Sequence, residues 1–553
     1  MAQTAVLRRR KMAAVEATGI VLVMLLAVVA SRFIARVTRL PAPLVQIALG
    51  AAIYYSSLSS VELDPQVFFL LLLPPLLFLD GWRIPKDELL RNAGAVLRLA
   101  LGLVVFTVLG LGLLVHWLIP ALPLPVAFAL AAVVAPTDPV ALGAIAARTP
   151  IPTRMRHILE GESLFNDASG LVCLRFAVAA ALTGAFSLPD ALASFVWVAL
   201  GGMAIGTAVT WLVTRSRASG TALVGHDGAA QILLTLLIPS GVYLLAESVH
   251  VSGILAVVAA GITMGFAPHT HWQAITRIRR TAVWETVQFA ANGSIFVLLG
   301  EQIPVIVAAA PRTVLLTGHH NPWWLGVYVA GIVVALTALR FAWVWVSLRV
   351  TPEADGSGPP PRRWRLVMAM SLAGVRGAIT LAGVLTLPLS LGDGTPLVGR
   401  DLAIFLAAGV IVLSLVVASL ALPPVLRGLE LPPDPSQRAA EHRVRTAAAE
   451  AALRAVVAAG QSLAAGHADA GLYLDASTRI ADLYRHRIER YGGDDRASSL
   501  PGRVDGIERQ LRLVGLQAER EELIAAGSAA GIRETTVHRL VREIDLQEAR
   551  HGA

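Results

Sequence analysis

The chain has 553 residues, 55% of them hydrophobic and 15% charged, and a formal net charge of +8. Its mean hydropathy is +0.65. Soluble domains carry about 25% charged residues, so this composition excludes an ordinary water-soluble enzyme, a disordered protein and a nucleic-acid-binding module. The charge is also uneven: residues 1–430 hold 29 Lys and Arg and 20 Asp and Glu, whereas residues 431–553 hold 17 and 18. The first part reads as membrane-embedded and the second as a small soluble domain. The single cysteine, Cys173, excludes an intrachain disulfide framework or a cysteine metal cluster.

A bilayer core about 30 Å thick needs about 20 apolar residues per helix. Runs of that kind lie near 15–35, 42–59, 65–82, 93–118, 124–147, 158–183, 190–213, 229–247, 251–267, 281–303, 323–348, 366–389 and 401–427, which makes thirteen. Arg32, Arg36 and Arg39 follow the first run with no clean cleavage site, so it reads as a span and not a signal peptide. Apolar residues run continuously instead of alternating, which excludes barrel strands. The expected fold is an all-α polytopic membrane protein of about 13 transmembrane helices over residues 1–430. A small helical domain follows over 431–553.

Alternate loops carry 17 basic residues: Arg32, Arg36, Arg39; Arg83, Lys86, Arg91; Arg148, Arg154, Arg156; Arg215, Arg217; Arg277, Arg279, Arg280; and Arg362, Arg363, Arg365. The other loops hold only Arg312 and Arg400, with acids such as Glu62, Asp64, Asp190, Glu247 and Asp393. This bias places the first set, and the C-terminal domain, in the cytoplasm. Thirteen spans put the N-terminus outside, which conflicts with its Arg8, Arg9, Arg10 and Lys11. Trp82, Trp117, Trp323 and Trp324, near span ends, read as interface anchors.

Ionisable groups at membrane depth are costly and mark a pathway by default. The fifth span reads Pro136-Thr137-Asp138-Pro139 in the middle of an apolar run. Two prolines predict a helix break there, freeing backbone groups around Thr137 and Asp138. The bland alternative is a kink with Asp138 capping the second half-helix. The sixth span carries Glu162-Ser163-Leu164-Phe165-Asn166-Asp167-Ala168-Ser169-Gly170. Ser163, Asp167 and Gly170 share a face, so a carboxylate, a hydroxyl and a small residue look the same way. Oxygens of this kind suit hard cations, and a half-buried carboxylate is also a proton site. The bland alternative is a polar cluster that joins helices, more so for Glu162 than for Asp167.

The twelfth span reads Gly374-Val375-Arg376-Gly377-Ala378, a second expected break. It lies seven spans after the first, so the two segments run in opposite directions, as in an inverted repeat. Arg376 can offset exposed carbonyls at half-helix ends; its bland alternative is snorkelling to an interface. Arg340, inside the eleventh span, needs a carboxylate, and Glu162 is the available acid not needed for an ion.

Together, Pro136-Thr137-Asp138-Pro139, Glu162-Ser163-Leu164-Phe165-Asn166-Asp167 and Gly374-Val375-Arg376-Gly377-Ala378 resemble the monovalent cation/proton antiporter-1 family. The resemblance is to its bacterial sodium/proton exchanger branch, related to the eukaryotic sodium/hydrogen exchangers, and extends to Leu73-Pro74-Pro75-Leu76-Leu77-Phe78-Leu79-Asp80-Gly81. It covers about residues 15–430 and implies a homodimer in the cell membrane, with a core domain moving against a dimerisation domain. It implies two crossing discontinuous helices and Asp167 as the carboxylate that binds cation or proton. Asp138, Thr137 and Ser163 would join Asp167 at the Na+ site, and Asn166 would stabilise the core and mark the electroneutral branch. Glu162 and Arg340 would form a structural ion pair. Relatives with an acid directly after the Pro-Pro-Leu-Leu-Phe run differ from this chain, where Leu79 stands there and Asp80 follows; Asp80 is counted with Glu162, Arg340 and Arg376 among the structural or pathway charges.

The expected function is antiport of Na+, with Li+ or K+ as alternatives, against H+, with both ligands competing for Asp167. No cofactor, enzyme activity or nucleic-acid partner is expected; the partners are the cation, the proton, membrane lipid and a second copy of the chain. A channel would lack the need for paired helix breaks, and a membrane enzyme would want a clustered His or Ser/His set. Helices are expected around 437–465, 470–491 and 503–524, turns at Gly492-Gly493 and Pro501-Gly502, and a flexible loop at 352–363.

Overall fold

The computed structural model describes residues 2–56, 65–83, 102–138, 142–143, 153–183, 188–224, 227–266, 274–350, 363–391, 394–427, 435–465, 469–492, 511–523, 540–541, 543–545 and 547–548. The loop expected at 352–363 and the turns at Gly493 and Pro501-Gly502 lie outside these residues, apart from Arg363. Among the described residues every regular element is a helix, and the one β contact is an isolated bridge between Ser390 and Pro396. The chain divides into two units, Met1–Glu430 and Leu431–Ala553.

In the first unit the helices are α1 (Ala2–Thr38), α2 (Ala42–Tyr55), α3 (Pro65–Arg83), α4 (Leu103–Leu118), α5 (Leu124–Val134), α6 (Thr153–Thr183) and α7 (Leu188–Val224). They continue as α8 (Gly228–Ser248), α9 (Gly253–Phe266), α10 (Ala274–Leu315), α11 (Trp323–Val350), α12 (Arg363–Leu372), α13 (Ala378–Leu385) and α14 (Arg400–Leu426). Six described stretches are long and apolar enough to cross a bilayer by themselves: Gly19–Thr38, Val196–Ser216, Gly228–Ser248, Thr276–Leu315, Trp323–Ser347 and Arg400–Leu426. Shorter apolar helices include Ala42–Tyr55, Leu103–Leu118, Leu124–Val134 and Gly253–Phe266.

Two apolar runs are interrupted. The helix over Leu124–Val134 gives way to irregular backbone at Pro136–Asp138, where Pro136 and Pro139 remove helix N–H groups. The run at 366–389 is split into α12 and α13 by irregular backbone at Gly374–Gly377. Other prolines stay inside helices, as in α3 (Pro74, Pro75) and α8 (Pro239), which helices packed in a bilayer tolerate.

The largest apolar cluster gathers side chains from α4, α5, α6, α11, α12, α13 and α14, so both interruptions sit within it. A second cluster joins α3, α8, α9 and α10, and includes Phe78, Val257 and Trp284. A third joins α1 and α10 through Met24, Val28, Val297 and Leu298. Trp82 belongs to the second cluster: its ring lies 5.8 Å from Phe78 and 6.0 Å from Trp284, under the Arg280 guanidinium at 4.5 Å. Trp82 is partly buried there, Trp117 and Trp323 are exposed, and the Trp324 ring lies 4.3 Å from that of His319.

Apolar helices in lipid gain little from hydrophobicity between themselves, so close backbone approach decides their packing. Gly206 of α7 faces the Ala256 carbonyl of α9 with no room for a side chain. The α8–α9 connection is equally tight. Val251 N–H donates to Ala246 O at 3.0 Å and His250 N–H to Glu247 O at 3.0 Å, with His250 at φ 59. That pattern is a Schellman ending, with histidine where glycine is usual. Ser252 N–H then donates to Val198 O of α7 at 3.2 Å. The elements α7, α8 and α9 form one tightly built assembly.

In the second unit, α15 (Pro435–Ala464) and α16 (Ala470–Gly492) pack as a helical pair, with Gly460 against Ser477. A further helix spans 511–523.

Candidate ion site at a crossing of two interrupted helices

The two interruptions touch each other. Asp138 N–H donates to Val375 O at 2.7 Å, so one irregular segment satisfies the other directly. Leu142 N–H returns to Asp138 O at 3.3 Å, which starts a new helical turn at Asp138. Asp138 therefore both joins the crossing and opens the second half-helix.

Charges match the helix ends. Helix C-termini carry partial negative charge and N-termini partial positive charge. Arg376 is buried, and its Nε donates to Val134 O, at the C-terminal end of α5, at 2.9 Å. Its Nη1 donates to Gly374 O, just beyond α12. Its own N–H donates to Ser414 Oγ of α14 at 3.3 Å. The guanidinium thus closes the negative ends of two half-helices and is not snorkelling. The Asp138 carboxylate packs against Gly377, the residue preceding α13, and so stands at a positive helix end. A Cβ at Gly377 would lie 2.5 Å from Asp138 Cγ and 2.6 Å from Asp138 Cβ, and closer still to Oδ2. Glycine is required there by space.

Helix α6 closes the crossing from the side. Ser163 Oγ donates to Thr137 O at 2.7 Å, capturing a carbonyl that the break frees. Both residues are buried. Gly170, seven residues on, lies against Pro136 and the Ala132 carbonyl, where any side chain would collide. Asp167 lies on the helical backbone of α6 between these two contacts, and its side chain is outside the described residues. Asn166 is fully buried; its Nδ2 donates to Glu162 Oε1 at 3.4 Å, and its Oδ1 has no hydrogen-bond partner among the described residues.

Glu162 and Arg340 meet in a buried two-pronged pair, Nη1–Oε1 at 2.6 Å and Nη2–Oε2 at 2.9 Å. Arg340 Nε donates to Met370 O of α12 at 2.9 Å. The pair thereby ties α6 to α11 and α12, one residue before the Thr137–Ser163 contact. All the hydrogens on Nε and one on each Nη are used, which is what a buried guanidinium requires. Asp80 is half-buried on α3, beside Gly81, which packs against the Val258 carbonyl of α9. Among the described residues no group of three or more His, Cys, Asp or Glu is placed to hold a metal ion. Oxygens around Thr137, Asp138 and Ser163 offer hydroxyl, carbonyl and carboxylate donors, a set suited to a weakly held hard cation.

The sequence reading passes over Arg175, although an arginine inside an apolar run is itself a signal. It lies eight residues after Asp167 on α6, and its Nη2 meets Glu247 Oε1 of α8 at 2.9 Å. The reading had placed Glu247 in a loop; it lies in the last turn of α8.

The sequence model of the family described as sodium/hydrogen exchanger, transmembrane, matches residues 21–428. An uncharacterised Na(+)/H(+) exchanger of Escherichia coli (strain K12) is 40% identical over 545 residues, 96% of this chain and 98% of that protein. The sodium, potassium, lithium and rubidium/H(+) antiporter of Bacillus subtilis (strain 168) is 42% identical over 412 residues, 73% of this chain and 60% of that longer protein. The structure of the sodium proton antiporter MjNhaP1 from Methanocaldococcus jannaschii at pH 8 superposes with a TM-score of 0.57 at 19% identity, over 75% of this chain and 99% of that one. The last similarity is one of fold.

Proposed function

The chain belongs to the sodium/hydrogen exchanger family, and from that premise we propose that it exchanges Na+ for H+ across a membrane, electroneutrally, with both ions competing for Asp167. The observation that supports this reading is the crossing itself. Irregular backbone brings the oxygens of Thr137 and Asp138 together with Ser163, on the helix that carries Asp167. Arg376 is spent on the negative half-helix ends, so its charge is held there.

Asp167 cannot be protonated and hold Na+ at once. Either ligand neutralises its carboxylate, and the neutral loaded site changes the side it faces, while the empty charged one does not. Protons at low pH displace the cation, so exchange slows toward acid and levels off toward alkali. Thr137, Asp138 and Ser163 contribute cation oxygens, and Asn166 steadies α6 through Glu162. We assign residues 1–430 to the exchanger, working as a homodimer in the cell membrane, and residues 431–553 to a cytoplasmic helical domain.

A second reading is broad alkali-cation/H+ exchange. It is favoured by the name of the Bacillus subtilis relative, which covers sodium, potassium, lithium and rubidium. Oxygen ligands alone accept all of these; cavity size separates them.

The test is exchange in proteoliposomes followed by a pH-sensitive dye, with Na+, Li+ and K+ in turn. Na+-driven proton flux is expected for the natural chain and none for Asp167→Asn. Flux retained by that variant would sink the competition mechanism, and a steady-state rate that follows membrane potential would sink electroneutrality. Equal rates with all three cations would favour the second reading.

A further inference from the structure

Helix α6 is held in two different ways along its length. Its first half is keyed into the crossing through Ser163, Gly170 and the Glu162–Arg340 pair. Its second half runs past the α7–α8–α9 assembly, against which its packing is sparse. Arg175 spans that seam. Its guanidinium meets Glu247 Oε1 at 2.9 Å, and the same oxygen accepts the Gly253 N–H, at the start of α9, at 3.0 Å. Glu247 is thus fixed at a positive helix end before Arg175 reaches it. Gly253 leaves room for this, since a Cβ there would lie 2.8 Å from the Tyr243 ring and 3.1 Å from Glu247 Cγ. The turn behind it is the Schellman ending at His250, itself bonded to α7.

Both members of the pair are partly exposed, with side-chain exposures of 46% for Arg175 and 36% for Glu247. This sparsely packed seam, crossed by an accessible ion pair, differs from the attachments of α6 through Glu162, Ser163 and Gly170, which are buried. The seam lies at the α8–α9 turn, whose residues 249–252 carry no Lys or Arg, whereas Arg215, Arg217, Arg277, Arg279 and Arg280 flank the other ends of these helices. It therefore faces the side opposite the basic loops.

We propose that Arg175 and Glu247 are positioning residues for exchange: their pair latches the site-bearing helix α6 to the α7–α8–α9 assembly and sets how often the site opens to the side opposite the basic loops. The proposal rests on the alternating-access reading above. A latch that favours the closed seam lowers apparent cation affinity on that side and raises it on the other, because one population serves both. An exposed pair supports a shift of no more than about fivefold.

The experiment measures the half-saturating Na+ concentration in right-side-out and in everted vesicles, for the natural chain, Arg175→Gln, Glu247→Gln, Arg175→Lys and the charge swap R175E/E247R. In the two glutamine variants this concentration should fall on the latch side and rise on the other, the two factors multiplying to no more than about fivefold, with the maximal rate changed equally on both. Arg175→Lys and the swap should return toward the natural values. Shifts in the same direction on both sides, no shift at all, or a swap that folds normally but behaves like the single variants would overturn the proposal. If the swap does not fold, the glutamine variants decide. Asp167→Asn is run alongside: exchange lost there, with the natural chain active, keeps the site reading intact, so failure of the other arms counts against the latch alone.

Discussion

Replacing Gly377 by alanine isolates the contact between the two interrupted helices. The added Cβ would stand 2.5 Å from Asp138 Cγ. Ordinary carbon contact begins near 3.5 Å, so the carboxyl group must retreat by about 1 Å at the least. The carboxyl group can rotate away from the N-terminus of α13, but Asp138 Cβ, 2.6 Å from the added methyl, moves only with its backbone, whose N–H donates to Val375 O and whose carbonyl accepts from Leu142 N–H. Both the helix-end contact and the crossing are therefore strained. Overpacking costs about 1–3 kcal/mol, and a carboxylate removed from a half-buried helix end loses about 1 kcal/mol more. The sum, about 2–4 kcal/mol, corresponds to roughly thirty- to thousandfold in an equilibrium constant. The assay is the half-saturating Na+ concentration in proteoliposomes, with the unfolding midpoint in detergent as a control. Exchange at the natural concentration with a natural midpoint would refute the reasoning.

Glu162→Gln leaves Arg340 buried without its counter-charge and should cost about 3–5 kcal/mol of stability, read as a lowered unfolding midpoint in detergent. The double change E162M/R340L should recover most of that loss; a single variant as stable as the natural chain would contradict the pairing. Ser163→Ala removes the hydroxyl bonded to Thr137 O and should raise the half-saturating Na+ concentration about tenfold, about 1.4 kcal/mol, whereas Ser163→Thr should stay near the natural value. His250→Gly relieves a left-handed residue at the α8–α9 turn and should stabilise the protein by about 1 kcal/mol; an unchanged or lowered midpoint would argue against strain there.

The helices and their interruptions were legible because each has a local cause. Continuous apolar runs give helices in a chain with 15% charge, and Pro136, Pro139 and the Gly374–Gly377 pair break the pattern where the structure breaks it. Long-range partners were legible only where scarcity left one choice, as for Arg340 among few intramembrane acids. The contact of Asp138 with Gly377 is 239 positions apart in sequence and depends on which half-helix ends meet, which no local pattern carries. Arg175 was missed for a different reason. Its partner Glu247 sits in the last turn of a helix and looks like a loop acid until the tight turn at His250 fixes where α8 ends. The contact of Trp82 with Trp284 of α10 is likewise invisible locally, because the two rings are two hundred residues apart in sequence.

The crossing also imposes an order on biosynthesis. Val134 O finds its donor in Arg376, 242 residues downstream. A ribosome adding about 5–20 residues per second needs about 12–48 s to deliver that arginine. During the interval the carbonyls left by the break face lipid or translocon without their final partner, and Ser163, only 26 residues after Thr137, is the first group able to cover one of them. The first half of the exchanger must therefore wait, half-satisfied, for the second. A chain truncated before Gly374 is expected to be handed to membrane quality-control proteases and not to persist as a folded fragment.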